Sequence, residues 1–128
     1  MSAILNLQTD KDFTANGIDW QHLEQQYQEH GIASYRYQII DFDDDDLTAL
    51  LPGAVDVLAQ MLDTHARVYV HCTAGKQRSP STVIGYLAWH KKFGIERAID
   101  YVMAARNCAP PLHVLRKADE IHEASLPS

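Results

Sequence analysis

Hydrophobic and polar positions follow two periods along this chain. Ile4–Leu7 is a short apolar run closed by polar residues, which predicts a strand. Asp19 is suited to cap a helix in which Trp20, Leu23 and Tyr27 share one face, with Gly31 as its terminator. Tyr35, Tyr37 and Ile39 then alternate with Arg36 and Gln38, the period of a strand. The acidic stretch DFDDDD at 41–46 reads as a loop. Pro52 suits the first turn of the next helix, whose apolar stripe is Val55, Leu58 and Leu62. Arg67–His71 is polar only at its ends and predicts a central strand buried on both faces. A loop at 72–79 leads into a helix over 80–93 with Val83, Ile84 and Leu87 inward. Gly94 separates it from a helix bearing Ile95, Ala98, Ile99, Val102 and Met103, and a last helix over 112–124 follows Pro110 and Pro111. Strands alternating with helices predict an α/β fold, with a mainly parallel central sheet flanked by helices.

Composition narrows the classes without choosing a chemistry. A chain of 128 residues, 46% hydrophobic and 22% charged, fits one globular domain over 1–128 with its own core. Two cysteines exclude a disulfide scaffold and a four-cysteine zinc site. No apolar run is long enough for a membrane-spanning helix. The start MSAILNLQTDKD has no basic leader followed by an apolar stretch, so the expected location is cytoplasmic. A net charge of −6 argues against nucleic acid as a partner.

Residues 71–80, HCTAGKQRSP, carry the chemistry. A cysteine follows a strand directly, Gly75 permits a tight curve, and Arg78 stands six residues after Cys72 where a helix begins. Such a turn points successive backbone N–H groups at an anion, and the helix N-terminus adds partial positive charge. Arg78 can hold two phosphate oxygens in a planar fork. The same positive field favours the thiolate form of Cys72, so anion cradle and nucleophile are one device.

This loop resembles the Cys-x5-Arg phosphate loop of the cysteine-dependent protein tyrosine phosphatase superfamily, in the form found in the dual-specificity branch. His71, Cys72, Gly75, Arg78 and Ser79 carry the match. Over most of the chain, ILNLQTDKDF, IIDFDDDDL and RNCAPP are similar to plant starch (glucan) phosphatases. The resemblance implies a protein tyrosine phosphatase-like fold, trimmed at its N-terminal edge, an edge that a homodimer would cover. It implies Cys72 as nucleophile and Arg78 as phosphate ligand, with the backbone of Thr73, Ala74, Gly75, Lys76, Gln77 and Arg78 around the phosphate. Ser79 would stabilise the departing thiolate and His71 would orient the loop. No cofactor and no metal are implied.

Ester cleavage also needs a proton for the leaving oxygen. DFDDDDL lies between a strand and a helix, 31 residues before Cys72. Asp41, with Leu47 six residues on, matches the family's general acid, and Asp43 is the alternative. Asp45 or Asp46 is expected to cap the helix. Asp41, Asp43 and Asp45 have a calcium-like spacing, but Asp46 and Pro52 occupy the positions where that loop needs glycine and a bidentate glutamate.

Lys76 is expected to raise the positive potential of the loop. Trp20, Tyr86, Trp89 and Phe42 are candidates for a sugar-stacking surface, with helix packing the favoured reading for Tyr86 and Trp89. Cys108 reads as packing, with a redox pairing to Cys72 as the alternative. The expected substrates are phosphotyrosine and phosphoserine/threonine in proteins, then phosphoglucan, then an inositol lipid. Competing classes are a rhodanese-like sulfurtransferase and a phospho-binding pseudophosphatase. The pseudophosphatase reading is disfavoured because cysteine, arginine and acid are all present.

Overall fold

A computed structural model describes residues 2–73 and 75–126. The elements in chain order are β1 (Ser2–Asn6), α1 (Asp10–Ala15), α2 (Trp20–Glu29), β2 (Ala33–Arg36), α3 (Asp44–Thr64), β3 (Arg67–His71), α4 (Arg78–Trp89), α5 (Ile95–Ala105) and α6 (Leu112–Ser125). The strands form one parallel sheet in the order β2-β1-β3. Leu5 pairs with Tyr35 on one side and Val70 on the other. This is the α/β, parallel-sheet architecture expected from the pattern.

The central strand is β1, and β3 lies at the edge of the described sheet, contrary to the expectation for Arg67–His71. Nor is it buried on both faces. Val68 and Val70 pack into the core, whereas Tyr69 faces the other way and is 57% exposed. β2 also ends sooner than Tyr35–Ile39 suggested. Its ladder continues past the strand, because Tyr37 N–H donates to the Asn6 carbonyl (2.9 Å) and Ile39 N–H to that of Leu7 (3.1 Å).

Helix α3 begins at Asp44, well before Pro52, and the proline lies inside it. An interior proline costs about 3 kcal/mol or more and deprives one carbonyl of its N–H partner. Leu47 and Leu51, both buried ahead of it, each recover roughly 1.5–3 kcal/mol only if the helix includes them. Burial therefore outweighs the local preference. The helix cap is Asp43, not Asp45 or Asp46: its carboxylate accepts from Asp46 N–H at 2.9 Å. Asp46 turns its own carboxylate back to Ile40 N–H at 2.7 Å.

Leu5, Leu7, Ile39, Leu51, Val55, Ile84 and Leu115 are fully buried where sheet and helices meet. At Gly85 the helices α3 and α4 approach so closely that a Cβ would sit 2.6 Å from Val55 Cγ2. α4 is thereby held rigidly behind the loop that joins it to β3.

Candidate active site

His71 ends β3, Cys72 follows, and Arg78 opens α4. Cys72 is 3% exposed and forms, with Thr73, Gly75, Ser79 and Arg106, the wall of a cavity of about 120 Å³. Gly75 adopts φ +69°, a left-handed conformation that costs other residues about 1–2 kcal/mol. A Cβ there would also stand 3.2 Å from Arg106 Nη2. Gln77 caps α4 without a side-chain bond, so the positive helix end is left for the loop to use. The loop is braced from outside by Ala109 N–H, which donates to the Lys76 carbonyl at 2.9 Å. The Lys76 ammonium donates to the Asn107 carbonyl at 3.1 Å. Ala74 lies outside the described residues.

Arg78 is 1% exposed, and both terminal nitrogens of its guanidinium have partners. Nη1 donates to the Asp12 carboxylate at 2.7 Å, to the Ile39 carbonyl at 2.9 Å and more weakly to that of Leu7 at 3.4 Å. Nη2 donates to Thr73 Oγ1 at 3.2 Å and lies 3.4 Å from the Asp41 carboxylate. Nε is buried with no partner among the described residues, as is the Ser79 hydroxyl. An arriving phosphate can therefore take Nε and, by displacing Asp41, one Nη2 hydrogen.

Within the acidic run, Asp43 caps α3, Asp44 meets His113 Nε2 at 2.7 Å, and Asp46 holds Ile40. Asp41 is the member brought against Arg78. Phe42 beside it is 78% exposed and adopts φ +56°. Burial, followed by the charge of Arg78, pushes the His71 imidazole below its usual value, so it is neutral at pH 7. Cys108 is half-buried and free.

The aromatic candidates are scattered. Trp89 is buried, stacks on His122 and donates to Asp119 at 3.0 Å. Tyr86 stacks on His90, and Trp20 on Phe13. Of the four, Phe42 is the one that neighbours a candidate site residue, Asp41, in the chain.

Sequence reasoning missed Asp12, Arg106 and α1 itself. A signal was present, since Thr9-x-x-Asp12 is a reciprocal capping box: Thr9 Oγ1 accepts from Asp12 N–H and Asp12 from Thr9 N–H. Burial pushes the Asp12 carboxyl up. The bond from Arg78, with the Thr9 N–H and the Arg78 charge, outweighs this and holds it below the ordinary 3.8. A depressed carboxylate stabilises the fold above its ordinary value, and that contribution is lost as pH falls through the folded one. Asp12→Asn is expected to cost about 1.5–3 kcal/mol at pH 7. Urea melts should show the gap to the wild type narrowing in acid below the ordinary value of 3.8.

Residues 1–117 match the family model "Dual specificity phosphatase, catalytic domain". The chain is 34% identical over 110 residues to phosphoglucan phosphatase LSF1, chloroplastic, of Arabidopsis thaliana, covering 86% of this chain and 19% of that protein. It is 30% identical over 120 residues to phosphoglucan phosphatase DSP4, amyloplastic, of Castanea sativa, covering 92% of this chain and 32% of that one. The chain thus spans a third or less of these relatives' length. The fold superposes on a crystal structure of kinase associated phosphatase with a TM-score of 0.76 at 18% identity, covering 99% of this chain and 72% of that chain. By the model matched over residues 1–117, the chain belongs to the dual specificity phosphatase catalytic-domain family.

Proposed function

We propose that residues 1–128 form one catalytic domain that hydrolyses phosphomonoesters through a phosphocysteine intermediate, with phosphotyrosine and phosphoserine/threonine of proteins as substrates. The observation that carries the reading is the set of buried donors around Cys72 that have no partner among the described residues, namely Arg78 Nε and the Ser79 hydroxyl. Buried polar groups without partners are rare, and a phosphoryl group and a thiolate would satisfy these two.

In the first step the Cys72 thiolate attacks phosphorus and the bond to the leaving oxygen breaks. Asp41, displaced from Arg78 by the phosphate, takes up a proton from water as the dianion arrives and delivers it to that oxygen. In the second step water attacks phosphorus, its proton passes to Asp41, and the phosphorus–sulfur bond breaks to return the thiolate. Ser79 donates to the departing sulfur. The backbone of residues 73–78 and the Arg78 fork hold the equatorial oxygens, where most of the rate enhancement arises. His71, neutral and stacked on Tyr69 at 5.8 Å, orients the strand end and moves no proton.

A second reading, phosphoglucan hydrolysis, is favoured by the names of the two plant relatives and by the exposed Phe42 ring beside Asp41. We propose a cytoplasmic location for this chain, whereas the names of those two relatives read chloroplastic and amyloplastic. Among the described residues no helix is long and apolar enough to cross a membrane.

Cys72→Ser is expected to abolish phosphate release from an aryl phosphate while still binding inorganic phosphate by calorimetry. Full turnover in that variant would refute the mechanism. Asp41→Asn should lower kcat by about 10²–10⁴-fold and erase the basic limb of the pH–rate profile; a retained limb moves the acid to another group. A phosphate-release panel of phosphopeptides, phosphoinositides and phosphoglucan decides the substrate, with kcat/KM expected to be highest for phosphopeptides.

A further inference from the structure

Behind the phosphate loop lies a buried chain of side chains that the proposed mechanism does not use. Asn6 and Gln8 are 0% and 2% exposed. Both leave the end of β1, where the sheet meets the loop. Their hydrogen-bond directions can be worked out, because each end of the chain is a group with a fixed role.

At one end is the backbone N–H of Gln8, which can only donate. It lies 2.8 Å from Asn6 Oδ1, and this fixes the orientation of the Asn6 amide. Asn6 Nδ2 must then donate to Gln8 Oε1, at 3.2 Å. That in turn fixes the Gln8 amide, whose Nε2 donates to Thr73 Oγ1 at 3.0 Å. At the other end is Arg78 Nη2, a guanidinium nitrogen that can only donate, and it also reaches Thr73 Oγ1, at 3.2 Å. A hydroxyl has one hydrogen to give and two lone pairs to receive. Both lone pairs of Thr73 are occupied, so its hydrogen is the capacity left over. Thr73 forms part of the wall of the cavity that contains Cys72.

We infer that Thr73 is a further catalytic residue, whose hydroxyl is locked by Gln8 and Arg78 as a donor to a phosphoryl oxygen in the cradle. Gln8 and Asn6 are positioning residues, since they reach the substrate only through Thr73. This inference rests on the phosphatase reading of the same site and adds a side-chain donor to the backbone ones. It also gives a reason for two buried amides where the loop meets the sheet. A fully satisfied buried network selects one arrangement, and here it selects the direction of one hydrogen.

The test compares the wild type with Thr73→Val, Thr73→Ser, Gln8→Glu and the Gln8→Glu/Thr73→Val pair. Thr73→Val should lower kcat/KM for para-nitrophenyl phosphate by about 10- to 100-fold, the loss expected for one bond to a charged group. Thr73→Ser keeps the hydroxyl and should restore activity to within about threefold of the wild type. Gln8→Glu presents an acceptor in place of the amide donor, draws the Thr73 hydrogen away from the cradle, and should match the loss of Thr73→Val. In the pair the two losses should not multiply, because both remove the same bond.

Calorimetric binding of inorganic phosphate reads the same donor without turnover, and its affinity should fall in Thr73→Val. Equal affinity in wild type and Thr73→Val, or losses that multiply in the pair, would overturn the inference. A wild type that binds phosphate, loses that affinity in Thr73→Val, and yet hydrolyses no phosphomonoester would overturn the phosphatase reading and with it the catalytic role, and would leave Thr73 as a phosphate-binding donor only. Thr73 is a surface side chain, so its variants remain decisive if Gln8→Glu fails to fold.

Discussion

A full positive charge at 1% exposure governs the architecture around the loop. An isolated buried guanidinium would cost several kcal/mol, and the protein must return what water no longer supplies. It does so from separate segments of the chain. The ends of β1 and β2 contribute the Leu7 and Ile39 carbonyls, α1 contributes Asp12, and Thr73 contributes its hydroxyl. The six-residue α1 is too short to be stable alone, and its reciprocal cap and the Arg78 bond account for its presence. The sheet end, the first helix and the phosphate loop are one electrostatic unit.

The acidic balance looks different at this scale. The run at 41–46 carries five carboxylates, and Asp41 among them reaches Arg78. Most of that charge is committed to structure. Asp43 caps α3 and Asp46 secures Ile40, while Asp44 meets His113 on α6. Negative charge at a helix N-terminus is favourable, so much of this cluster stabilises α3. The field at the cavity is set by Arg78, Arg106 and the start of α4, and the net charge of −6 carries little information about what enters it.

The loop was legible because its chemistry is local. A strand, a cysteine, a glycine with positive φ and an arginine at the helix start are contiguous, and each has a reason visible in the sequence. The edge position of β3 was not legible, since RVYVH reads the same whether one face or both are covered. Pro52 misled for a similar reason, because the apolar positions Leu47 and Leu51 decide where α3 begins. Asp12 carried a capping signal, but nothing local announces that its carboxylate meets an arginine 66 residues away. Gln8 was less visible still, since its role depends on Thr73, 65 residues on. Local chemistry could be read directly, whereas residues that act through long-range pairing could not.

The two carboxylates on Arg78 are not equivalent. Asp12 sits at 2.7 Å on the Nη1 side, which also faces two backbone carbonyls and has no hydrogen to spare. Asp41 sits at 3.4 Å on the Nη2 side, on a loop whose next residue holds a left-handed backbone. A longer contact gives a weaker pair, so an arriving dianion displaces Asp41 and leaves Asp12 in place. On the proposed mechanism, binding and acid release are linked by a single guanidinium. Strengthening the Asp41–Arg78 pair would then weaken anion binding, because carboxylate and anion compete for the same donors. On that mechanism the half-buried Asp12 keeps the arginine fixed while its other partner changes.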